Sequence, residues 1–254
     1  MVKLKKRLKQ GESLHGCWLN LGSTLTAEII GNVGFDWVLI DLEHGSGNET
    51  DALLQLQAIK STNTGAIIRV ESIDKHRIQK ALDIGAEGIM APQARNISDV
   101  QIVLNAAYYA PEGERGVAKH IRATGFGHDF SIYKKQCKKN TLVIIQIETK
   151  EVLQDLDSVA ALDGVDVLFI GPADLTMSLG IFGQYDHPIY EDALKKIIVA
   201  ANKAGKTVGI YLFDPKDYRH YFDLGIRFFA CGSDSDFVGR GAKEMANILN
   251  SNKA

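Results

Sequence analysis

Eight short apolar runs, each followed by an amphipathic stretch of helical spacing, recur from one end of the chain to the other, and this alternation limits the fold more than any other feature. It is the pattern of parallel strands joined by helical crossovers. The runs are HGCWLNLG (15–22), WVLIDLE (37–43), GAIIRV (65–70), GIMAPQ (88–93), TLVIIQIE (141–148), VDVLFIGP (165–172), TVGIYL (207–212) and RFFACGSD (227–234). Most are continuously apolar, as strands are when a filled interior covers one face and helices the other. A closed barrel and an open doubly wound sheet share that reading. Eight similar units in 254 residues, with no GxGxxG after the first run, favour closure. The expectation is one α/β domain over residues 1–254, a (β/α)8 TIM barrel whose core the 45% hydrophobic content can fill.

Charge excludes some partners. With 29 Lys and Arg against 31 Asp and Glu, net −2, the chain offers no broad electrostatic reason to bind nucleic acid or an anionic membrane, so the expected partner is a small molecule. Cys17, Cys137 and Cys231 are widely spaced and lack a CxxC pattern, which predicts reduced, buried thiols. The basic start MVKLKKRLKQ has no signal-like apolar run and is read as the solvated face of a short helix beneath the barrel, in a cytoplasmic protein. Two long connections, 110–128 and 178–189, are expected to act as lids.

Active sites of such barrels lie at the carboxyl ends of the strands. There the sequence places Asp41, Glu43 and His44 after the second strand, Arg69 after the third, Gln146 and Glu148 on the fifth, and Gly171, Pro172 and Asp174 after the sixth. Glu148 and Asp174 end adjacent strands, so their carboxylates can converge on a divalent cation; each alone is equally explained as a helix-starting residue. Oxygen ligation favours Mg²⁺ or Mn²⁺, with positions left for water and for the ketone and carboxylate oxygens of a 2-oxo acid. Asp41 and Glu43 would hold waters on that cation, and the Ala173 and Asp174 amides would receive the substrate carboxylate. Arg69 would face an oxygen that becomes an enolate. His44 is the candidate general base, with Asp83 expected to approach and orient it. No lysine lies within the later strands, which favours metal over imine chemistry.

The segments FDWVLIDLEHG, IIRV, ALDIGAEGIMAPQ, ERGV, VIIQIETKE and GVDVLFIGPADLTMSLG together resemble the HpcH/HpaI aldolase family over almost the whole chain. The resemblance implies a barrel of the phosphoenolpyruvate/pyruvate type with a short N-terminal helix. It implies a class II aldehyde-lyase that cleaves a 4-hydroxy-2-oxo acid to pyruvate and an aldehyde, using one divalent cation (Mg²⁺, Mn²⁺ or Co²⁺) and no organic cofactor. It further implies His44 and Asp83 as the acid/base pair, Arg69 as transition-state stabiliser, Glu148 and Asp174 as metal ligands, Gln146 and the Ala173 amide as pyruvate-binding groups, and Leu212 at the pocket wall. A homohexamer, a trimer of dimers exchanging the last helix, is also implied. The stretches AKHIRATGFG and LFDPKD depart from the pattern, which leaves the aldehyde open. Rival readings are oxaloacetate decarboxylation, an acyl-CoA lyase of the citrate lyase type, and a non-catalytic oxo-acid-binding barrel.

Overall fold

The computed structural model describes residues 3–251; the first two and last three residues of the expected domain lie outside it. A helix, α1 (Leu4–Lys9), precedes eight strands: β1 (Leu14–Leu19), β2 (Trp37–Asp41), β3 (Gly65–Arg69), β4 (Gly88–Ala91), β5 (Leu142–Ile147), β6 (Val167–Ile170), β7 (Thr207–Leu212) and β8 (Phe228–Ser233). All neighbouring pairs are parallel, and β1 closes on β8, so the expected barrel is the observed one. Between the strands run α2 (Thr24–Gly31), α3 (Glu49–Ile59), α4 (Lys75–Asp83), α5 (Ile97–Ala107), α6 (Phe130–Asn140), α7 (Leu156–Ala161), α8 (Pro172–Ser178), α9 (Pro188–Lys203) and α10 (Tyr218–Asp223), with α11 (Asp234–Ser251) after β8.

Local chemistry starts the helices where the strands end. Asn48 and Asp51 form a reciprocal capping box on α3, and Asp74 accepts from the His76 and Arg77 amides at the start of α4. Pro172 occupies the first turn of α8, where a missing N–H costs nothing, and this fixes the direction in which the following residues leave β6.

The apolar side chains divide into two cores by strand parity. Val38, Ile40, Ile68, Ile89, Ile145 and Leu168 face outward into the layer beneath the helices, whereas Trp18, Trp37, Leu39, Ile67, Phe169 and Phe228 fill the interior. Trp37 and Phe228 stack at 4.2 Å, with Phe169 edge-on to Phe228 at 6.2 Å. Gly16 makes the Trp37 ring possible, because a Cβ there would lie 2.3 Å from Trp37 Cδ2. Full burial of a side chain of Phe size contributes about 1.5–3 kcal/mol. The interior is therefore a plug, and α1 closes the end beneath it with buried Leu4 and Leu8.

Two expectations need correction here. The α1 lysines are not all solvated: Lys5 is 4% exposed, donates to the Lys138 and Thr141 carbonyls and pairs with Asp166 at 2.9 Å. Burial lowers its pKa, and Asp166 opposes that shift. Segment 110–128 does not cover the strand ends of its own chain. Arg122 donates to the carbonyls of Ile84, just after α4, and Leu56, in the last turns of α3, while the Gly116 amide reaches Gln79 on α4, so the segment packs outside those helices. Cys17 and Cys137 are buried, and Cys231 only partly. No helix among the described residues is long and apolar enough to cross a membrane.

Candidate active site

Counting by twos from the interior residues leads to the polar groups at the mouth: Trp18 to Asn20, Leu39 to Asp41, Ile67 to Arg69, Ile144 to Gln146 and Glu148, and Phe169 to Gly171. A cavity of about 260 Å³ opens at this level, lined on one side by Arg69, Gln146 and the Gly171 to Asp174 segment. Trp18, Asn20, Phe169, Tyr211, Phe213 and Ser233 line the rest. A larger hollow of about 790 Å³ lies at the opposite end, between α1 and the strand starts. Of its cations, Lys5 is held as described and Lys206 donates to the Leu162 and Val165 carbonyls.

Arg69 is fixed from two sides. Its Nε and Nη2 donate to the two oxygens of Asp41 at 2.9 and 2.7 Å, and Nη1 lies 3.0 Å from Glu43 Oε2. The strands supply this directly, since Asp41 and Arg69 are register partners on β2 and β3. Burial opposes the charge of Arg69, yet the bonds to Asp41 and the charges of Glu43 and Glu148 outweigh it and raise the pKa. Removing one member of such a buried pair costs about 3–5 kcal/mol. Asp41 also accepts from the Glu43 and His44 amides and from Asn20 Nδ2. Its oxygens are thus filled by protein donors. Within the chain, the observed task of Asp41 is to clamp Arg69.

Glu148 is 3% exposed. Its Oε1 accepts from the Gln93 amide at 2.6 Å and its Oε2 from Gln146 Nε2. Burial pushes the carboxyl up to about 7; the Gln93 bond opposes this, Asp174 and Glu43 add to it, and Arg69 offsets part of it. Gly171 is required beside it, because a Cβ at that position would stand 2.8 Å from Glu148 Oε2 and 2.9 Å from Gln146 Nε2. Asp174, exposed in the first turn of α8, lines the cavity and is the second carboxylate that can share a cation with Glu148. Among the described residues no group of three or more His, Cys, Asp or Glu gathers as a closed metal cage.

The other expected residues separate. His44 sits at the rim with a 63% exposed side chain, its Nε2 3.8 Å from Glu43 Oε1. Asp83 ends α4, near the opposite end of the barrel, and its Oδ1 accepts from Arg115 Nη2 at 2.6 Å. The expected approach of Asp83 to His44 is not made within the chain. Leu212 is also misplaced: it lies in the outer core, and its neighbours Tyr211 and Phe213 line the cavity instead.

Gln93 is the residue the sequence reading passed over with the most to do. It holds a left-handed φ of 54°, costly for a residue with a Cβ by about 1–2 kcal/mol, and so aims its amide at Glu148 while its Nε2 donates to Glu43 Oε1 at 2.8 Å. The signal was its place at the end of the fourth strand. Trp18, Asn20, Tyr211, Phe213 and Ser233 were missed as well, although strand parity reaches the first four.

A parallel (β/α)8 barrel with paired acids and a clamped arginine at its carboxyl end defines the class, a barrel enzyme acting at the strand ends. The family described as HpcH/HpaI aldolase/citrate lyase matches residues 14–239, and the chain belongs to it. It is 39% identical over 243 residues to a hydroxypyruvate/pyruvate aldolase of Roseobacter denitrificans, covering 95% of this chain and 94% of the relative. It is 36% identical to a 4-hydroxy-2-oxo-heptane-1,7-dioate aldolase of Salmonella dublin, covering 95% and 92%. The crystal structure of an HpcH/HpaI aldolase/citrate lyase family protein from Burkholderia cenocepacia superposes with a TM-score of 0.92 at 33% identity, covering 97% and 98%. The chain is accordingly an aldolase, a carbon–carbon lyase.

Proposed function

We propose that this aldolase depends on a divalent cation and cleaves a 4-hydroxy-2-oxo acid to pyruvate and an aldehyde, joining the two in reverse. The observation that carries this reading is the buried Glu148 carboxylate, 3% exposed and set against Gly171 at the start of the segment that brings Asp174 into the cavity, where the charges of the two acids and of Glu43 repel. A cation between Glu148 and Asp174 relieves that repulsion, and the buried Gln146 Oε1, which has no partner, marks a neighbour whose hydrogen bonding is unfinished. The donor set therefore fits Mg²⁺, Mn²⁺ or Co²⁺, with two carboxylates leaving room for substrate and water. When bound, such an ion would supply Lewis acidity towards the ketone and carboxylate of the oxo acid.

The chain's own residues account for the rest. A guanidinium has five N–H groups; two on Arg69 are given to Asp41, and Nη1 lies 3.0 Å from Glu43 Oε2 without a hydrogen bond to it, which leaves N–H groups for the C2 oxygen as it gains negative charge. The first-turn amides of Ala173 and Asp174 have no helical acceptor and line the cavity, suited to the C1 carboxylate. In cleavage the C4 hydroxyl loses its proton, the C3–C4 bond breaks, and its electrons form the enolate of pyruvate, which takes a proton at C3. His44 at the rim exchanges these protons with solvent.

The wider reading places one catalytic domain over residues 1–254, working in the cytoplasm on small molecules within a homohexamer. The support for assembly is α11, whose only buried residue is Asp234 and whose Val238, Met245 and Leu249 are 58%, 58% and 61% exposed. The test of the chemistry is pyruvate release after chelator treatment and then after return of Mg²⁺, Mn²⁺ or Co²⁺. Activity is expected to vanish and recover; full activity in cation-free protein would exclude the proposal.

A further inference from the structure

The cavity has two unlike halves. Arg69, Gln146 and Asp174 make one, with Glu148 behind Gly171. The other is aromatic: Tyr211 meets Trp18 edge-on at 5.3 Å and Phe213 at 5.4 Å, and Phe213 in turn packs on Tyr185 at 5.1 Å. At its edge stand two uncharged polar groups, Asn20 and Ser233.

If the oxo-acid end occupies the first half, the carbons beyond C4 lie against the second. Among the described residues lining the cavity, Arg69 is the one cation, and Asp41 and Glu43 already neutralise it. Ser233 Oγ accepts from the Asp236 amide at the start of α11, where Asp236 is paired with Arg240 at 2.7 Å and Asp234 accepts from the Asn20 and Leu21 amides and from Thr26 Oγ1, so Arg240 is already neutralised there. A carboxylate left without a counter-charge in a partly desolvated site loses about 10- to 100-fold in binding. Size adds a second limit, since about 260 Å³ lies below the roughly 300–1,000 Å³ of sites for larger ligands.

From these features we infer that the aldehyde joined to pyruvate is short and uncharged, carrying a hydroxyl more readily than a carboxylate. The inference rests on the pyruvate aldolase reading and narrows it. Aromatic faces accept the carbon chain, while Asn20 and Ser233 suit a neutral hydroxyl. A terminal carboxylate in the same place finds no unpaired cation among the described lining residues.

The experiment compares two aldehydes of matched shape, succinic semialdehyde and its uncharged amide, 4-oxobutanamide, in carbon–carbon bond formation with pyruvate by the cation-loaded enzyme. The amide is expected to have a kcat/KM about 10- to 100-fold higher. Equal values, or preference for the semialdehyde, overturn the inference. Phe213→Arg, at a position 56% exposed at the mouth, supplies the missing counter-charge and is expected to move the semialdehyde-to-amide ratio about tenfold towards the acid; an unmoved ratio counts against the charge argument. Exchange of the pyruvate methyl protons in deuterated water, followed by NMR, needs no aldehyde. Exchange together with preference for the acid sinks this inference alone, whereas no exchange in cation-loaded enzyme sinks the aldolase chemistry beneath it.

Discussion

Glu148 is a residue whose environment has a consequence testable near neutral pH. An acid whose folded pKa is raised, here from 4.5 to about 7, holds its proton more tightly in the folded state. Its contribution to stability is fully present below about pH 4.5 and is lost as pH rises through about 7, on the order of 3 kcal/mol in cation-free protein. Glu87 and Asp166 are also raised by burial and act in the same direction, so the informative quantity is a difference. Urea unfolding of the cation-free protein across this range is expected to show a shallower decline in Glu148→Gln than in the parent; identical slopes would mean that Glu148 is not the group responsible. The carboxylate itself was legible in the sequence as a strand-end acid. The roles of its neighbours were less so, because whether Asp41 faces a cation or an arginine depends on pairing across two strands, which only the β2–β3 register settles.

At the level of the element, strand parity decides which side chains enter the cavity. On β7 it assigns Tyr211 to the mouth and Leu212 to the layer under the helices. Leu212→Ala is expected to cost about 2–4 kcal/mol of stability while shifting the KM for pyruvate less than threefold, because it opens a void in the outer core. Denaturant unfolding and steady-state kinetics check both halves; a changed KM with full stability would return Leu212 to the cavity wall. Family likeness carried Leu212 into the site, whereas the two-residue period of Gly209, Tyr211 and Phe213 was readable in the sequence and would have corrected it. Loops are harder. Nothing in the composition of 110–128 reveals that Arg122 ends on the Ile84 and Leu56 carbonyls, since those contacts depend on how far α3 and α4 extend beneath it.

For the molecule as a whole, all eight strands were legible, because a strand covered on both faces reads as an unbroken apolar run and each is bounded by polar or glycine-rich turns. The position of α11 was not legible in periodicity, which shows an apolar stripe but not what covers it. If that stripe is buried between copies, Met245→Glu together with Leu249→Glu is expected to shift the sedimentation coefficient towards that of a monomer while the circular dichroism spectrum stays unchanged. An assembly that survives both charges would show that α11 is not its adhesive surface. The plug formed by Trp37, Phe169 and Phe228 governs traffic on the same scale. It makes the reaction chamber a blind well. Gln146, Glu148 and Arg69 are 3%, 3% and 6% exposed towards its bottom, and Phe213 is 56% exposed at its lip. With the proposed chemistry, the fragment held at the lip departs first in the breakdown direction and the one beneath departs last, so that synthesis must load pyruvate before its partner.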